Sequence, residues 1–92
     1  MATQQQDKQQ VERDESVRQH LLSVIGEQVM HTLGQPGDLH RVQVRKLWDD
    51  RYRVNIFVGM DAGSAKVAHS YFLVADGAGK ISASVPKITK QY

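Results

Sequence analysis

The chain predicts an α+β domain: one N-terminal amphipathic helix packed on a four-stranded antiparallel β-meander, in the order α-β-β-β-β. Three observations lead there. An apolar stripe with three- and four-residue steps runs to Leu33 and stops at Gly34 and Pro36. From Leu39 onward the apolar period is two instead. Turn-forming clusters at Asp49-Asp50, Asp61–Ala65 and Asp76–Gly79 then cut the remainder into four strand-length pieces.

The helix is expected over Ser16–Leu33, its stripe formed by Val17, Leu21, Leu22, Val24, Ile25, Val29 and Leu33. Ser16 with Gln19 has the spacing of a capping box, although Val11 falls on the same stripe and allows an earlier start. Gly34 suits the left-handed residue that ends a helix, and Pro36 prevents continuation. Gly26 inside the helix costs about 1 kcal/mol relative to Ala and permits close contact with a sheet. Residues 1–10 contain five Gln and only two apolar residues, so they are expected to be a disordered polar segment preceding a domain over 11–92.

Strand one alternates His40, Val42, Val44, Lys46 and Trp48 with Arg41, Gln43, Arg45 and Leu47. In strand two, Tyr52, Val54, Ile56, Val58 and Met60 alternate with Arg51, Arg53, Asn55 and Phe57. A strict two-residue loop would put Val42 and Val44 on the face of Phe57 and Asn55. A three-residue loop over Asp49–Arg51 instead aligns Val42 with Val58, Val44 with Ile56 and Trp48 with Tyr52, so that register is preferred. Strand three, Lys66–Ala75, is apolar on both alternations and is expected to be buried on both faces. Strand four starts at Ile81 and ends at Pro86, whose missing N–H suits an edge. The expected core is Leu21, Ile25, Val29, Val42, Val44, Val54, Ile56 and Val58.

Cystatin-like folds resemble this order of elements. The central Gln-x-Val-x-Gly motif of the cystatin inhibitors is absent, so the resemblance implies architecture and not their activity.

Ninety-two residues without cysteine form one domain and exclude disulfides, thiolate metal sites and a cysteine nucleophile. No apolar run approaches the eighteen or so residues of a membrane span, and the polar N-terminus is no secretory signal; the expected setting is cytoplasmic. Charge is divided unevenly. Residues 1–38 hold three basic against six acidic side chains, net −3, and residues 39–92 hold nine against four, net +5. Helix–sheet or subunit complementarity explains that split, and so does an anionic ligand on the sheet.

No motif names a reaction. His20 and His31 share a side of the helix with Glu27 between them, but lie about 16 Å apart along the axis, too far to share an ion. Ser84-Val85-Pro86-Lys87 spells Ser-x-x-Lys in a strand, where Lys cannot sit one helical turn from Ser. Gly59–Lys66 misses the phosphate-loop spacing, and Asp76 offers a single carboxylate where calcium needs several. No catalytic residue, cofactor or metal ligand is therefore predicted, and the protein is not expected to be an enzyme.

What remains is the sheet face that one helix leaves uncovered. Arg41, Arg45, Arg53 and Phe57 fall there, joined by Tyr71 or by Phe72 according to the register of strand three; Tyr71 is taken as the binding residue. Arginine and aromatics supply most hot spots of protein interfaces. Covering roughly 600 Å² of apolar surface is worth on the order of 15 kcal/mol before association costs. The expected role is thus protein binding or self-assembly, as a homodimer through the sheet face or an edge strand. Single-stranded nucleic acid or another polyanion is the alternative.

Overall fold

The computed structural model describes residues 15–92 with their side chains, within a helix α1 spanning Ala2–Leu33. The polar segment expected over residues 1–10 lies outside these described residues. Four strands follow, β1 (Leu39–Trp48), β2 (Arg51–Val58), β3 (Lys66–Ala75) and β4 (Ile81–Val85). They form one antiparallel sheet in the order β1-β2-β3-β4, which is the predicted α-β-β-β-β meander. Ser16 stands inside α1 and not at its cap, because the helix is already running at Glu15.

The helix lies over the two central strands. Ile25, Val29 and Leu33 are fully buried against Tyr52, Val54 and Ile56 of β2 and Tyr71, Leu73 and Ala75 of β3. The expected core residues Leu21, Val42 and Val44 pack around this cluster half-buried, since β1 is an edge strand. Val17, on the same stripe, is 67 % exposed; packing on the sheet begins one turn later, at Leu21.

Two glycines seat the helix. A Cβ at Gly26 would stand 3.3 Å from Val44 Cγ2, so the bare helix surface there meets β1 closely. At the other side Gly79, in the β3–β4 turn with φ of 86°, leaves its Cβ position to Val24 and Leu21. Gln28 ties helix to turn, donating from Nε2 to the Gly79 carbonyl and accepting the Ile81 N–H at Oε1 (3.3 Å). Beyond the C-terminus of α1, the Leu33 carbonyl accepts the N–H groups of Gln91 (2.8 Å) and Tyr92 (3.2 Å), satisfying an acceptor that the helix itself leaves open.

The β1–β2 register differs from the expected one by two residues. Val42 pairs with Ile56 and Val44 with Val54. The turn is the tight two-residue Asp49-Asp50 loop, with Asp49 at φ of 43°, a backbone that Asp tolerates. That loop alone would throw the valines onto the wrong face. A register shift between Lys46 and Trp48 inserts Leu47 as an extra residue and restores the phase. Even spacing of the apolar residues is thus kept, but Trp48 sits beyond the bulge, opposite Arg51 and away from the Tyr52 side where it was expected.

Strand β3 is not buried on both faces. Tyr71, Leu73 and Ala75 are buried under the helix, whereas Phe72 and Val74 on the other alternation stay partly open. Burial of the Tyr71 phenol pushes its pKa above the ordinary tyrosine value, with the Tyr92 phenol adding to the effect. Tyr52 is raised in the same way, by burial first and the Asp50 carboxylate second.

Gly79→Ala tests the helix seat. The new Cβ would lie 2.9 Å from Val24 Cγ1 at a left-handed φ, and the strain should cost about 2 kcal/mol. For a domain of this size that is roughly a 10 °C fall in Tm by differential scanning calorimetry. An unchanged Tm would mean that the helix is not held against the turn.

Candidate binding face

The registers of the three strand pairs arrange the uncovered face in four rows, each about 6.7 Å from the next along the strands. Arg41, Phe57 and Val67 form the first. The second is Gln43, Asn55 and Ser70. Arg45, Arg53, Phe72 and Val85 form the third, and Trp48, Arg51, Val74 and Ala83 the fourth.

Each row has its own chemistry. In the first, the Arg41 guanidinium lies 4.8 Å above the centroid of the Phe57 ring, a cation–π contact. The second row is a hydrogen-bonded chain across three strands. Arg53 donates from Nη1 to Ser70 Oγ (3.1 Å), Ser70 Oγ donates to Asn55 Oδ1 (2.7 Å), and Asn55 Nδ2 donates to Gln43 Oε1 (3.2 Å). At the far end the Trp48 and Phe72 rings sit 6.0 Å apart and tilted by 46°. Trp48 is 56 % exposed and Val85 69 % exposed, so this end of the face is apolar and open.

Of the residues predicted for this face, the structure brings Arg41, Arg45, Arg53 and Phe57 together. Tyr71 is not among them. It pairs with Val54, lies 4 % exposed on the helix side and stacks beside His69 at 6.3 Å. The register of β3 places Phe72 on the face instead, because Phe72 is the residue opposite Arg53. Arg51 and Trp48 were missed as members. Arg51 shares its alternation with Arg53 and was legible; Trp48 was not, since only the Leu47 bulge turns it outward.

The face carries four arginines and, among its strand residues, no carboxylate. Arg45 stands directly opposite Arg53, a like-charge cross-strand pair that opposes folding.

The other candidates have structural partners. Asp76 Oδ1 accepts the N–H groups of Ala78 and Lys80 at 2.9 Å and so shapes the β3–β4 turn. Ser84 Oγ accepts the Ile88 N–H (3.3 Å), and Asp61 Oδ1 the Ser64 N–H (3.0 Å). Among the described residues no group of three or more His, Asp or Glu gathers to hold a metal ion. Open grooves flank the helix, one of about 540 Å³ against β1 and one of about 990 Å³ against β4. No helix of the described residues is long and apolar enough to cross a membrane. The chain matches no protein-family model, no curated protein and no solved structure.

Replacing one member of the like-charge pair should relieve it. Arg45→Glu is expected to stabilise the fold by about 0.5 kcal/mol, roughly 2–4 °C in Tm, with the gain shrinking as salt rises. A lower Tm at every salt concentration would show that Arg45 serves the fold.

Proposed function

We propose that this protein is a small cytoplasmic, non-catalytic binding module that seats a macromolecular partner on the open face of its sheet. One observation carries it: four arginines and three aromatics share a face with no carboxylate among its strand residues, and two of those arginines are paired against each other at a cost to stability. A surplus of one charge that opposes folding is accounted for by a partner of the opposite charge.

A second reading, self-assembly, is favoured by β1. This ten-residue edge strand is free along its outer side among the described residues, and its Val42 and Val44 are only half-buried beside the groove that α1 leaves open. Pairing of two copies along β1 would continue the sheet and cover those valines. Stacking two copies face to face would instead set arginines against arginines. Edge pairing leaves the arginine face open and doubles its area, so the two roles are compatible.

Two measurements test these readings. A photo-cross-linking side chain at position 72, on the face, should capture a partner in cells, while the same group at His20, exposed on α1 and lining neither groove, should not; equal capture at both sites sinks the face. For assembly, light scattering should give about twice 10.4 kDa. A monomer that persists to millimolar concentration rules the edge out.

A further inference from the structure

We infer that the occupant of this face is a single-stranded nucleic acid, with bases stacked on Phe57, Phe72 and Trp48 and phosphates held by the four arginines. This rests on the open-face reading above and adds the chemical class of the partner.

The layout of the face separates a nucleic acid from an acidic protein. Protein interfaces place their apolar residues in the desolvated centre and their polar residues at the rim. Here the order is reversed. The middle of the face is the polar chain of Gln43, Asn55 and Ser70, and the aromatics stand at either end, Phe57 in the first row and Phe72 with Trp48 in the last two. An exposed sheet of four strands whose aromatics stack two or three unpaired bases is an established way to hold single-stranded RNA.

The cations fit the same ligand. Every basic side chain in the four rows is arginine, whose planar fork suits phosphate and whose flat face also stacks on bases. Lys46 and Lys66, by contrast, fall on the helix side, opposite Tyr52 and Val58. From the first row to the fourth the face spans about 20 Å along the strands, room for a short single strand. A duplex offers no free base faces to the rings, so single strands are preferred.

Trp48 makes the test direct, because it is the only tryptophan and it lies on the face. Its emission is followed in the full chain on titration with short oligouridylate and oligothymidylate, with the corresponding duplex and with polyglutamate. Single strands should quench it saturably, and their affinity should fall about 20- to 50-fold between 50 and 200 mM salt, as three to four phosphate contacts require. Arg41→Gln/Arg45→Gln should roughly halve the salt slope. Phe72→Ala should weaken binding about tenfold with circular dichroism unchanged, a loss that charge attraction alone does not predict.

No quenching by either oligonucleotide at 50 mM salt overturns the inference. So does polyglutamate binding as tightly, with the same salt slope and no sensitivity to Phe72→Ala. The cross-linked adduct at position 72 keeps the two levels apart. An adduct destroyed by protease but untouched by nuclease overturns the nucleic acid and leaves the face as a protein-binding surface; no adduct and no quenching remove both.

Discussion

The close seat of one helix on one side of a four-stranded sheet is the constraint on which the rest of this molecule depends. A helix is about 10 Å across and a four-stranded sheet about 15 Å wide, so a single helix covers the middle strands and only part of the edges. The burial pattern follows. Ile25, Val29 and Leu33 close over β2 and β3, while Val42 and Val44 on β1 and Ile81 on β4 remain half-covered. Gly26 and Gly79 bring helix and sheet together at the two places where a side chain would hold them apart, and Gln28 supplies the polar tie. With the helix committed to this side, none of the described elements lies across the other.

What stands on that other side is governed by phase. A β-strand alternates its side chains strictly, so every irregularity in length must be absorbed or the apolar set leaves the core. Register shifts do so in each strand pair: Leu47 is extra against β2, Ala68 is extra between the partners of Ile56 and Phe57, and Ser82 is extra between those of Val74 and Ala75. The first of these also changes the surface. By taking up one residue after Lys46, it directs Trp48 toward Phe72 and gives the face its apolar end.

This explains which parts of the structure were legible in the sequence. The helix end, all four strands and the face on which each residue of β2 lies follow from period, Gly and Pro, because these are local signals with a large penalty for error. The membership of Arg41, Arg45, Arg53 and Phe57 in one face came from the same alternation. Tyr71 and Trp48 were placed wrongly for two different reasons. Strand β3 is apolar on both alternations, so its pattern contains no phase information, and only pairing with β2 shows that Tyr71 faces Val54 and Phe72 faces Arg53. A bulge leaves no mark in an alternating run, so the two-residue Asp49-Asp50 turn and the shift at Leu47 together resembled one longer loop.

The structure also alters the balance between the ways this face can be used. From the sequence, an apolar third strand left in water argued for a protein cover. In the fold that strand puts Tyr71, Leu73 and Ala75 beneath the helix, leaves Val67, Phe72 and Val74 on the open side and contributes Ser70 to its centre, where it joins a polar chain. The open side therefore keeps its apolar residues at its two ends, with Trp48 added to one of them, and a polar centre between. What it has in excess is positive charge, concentrated by the pairing of Arg45 with Arg53 and held without any neighbouring acid in its rows. Hydrophobic and electrostatic demand for a partner thus stand side by side on this face. An anionic ligand with flat apolar surfaces of its own meets both, because it neutralises the arginines and covers the rings in the same encounter.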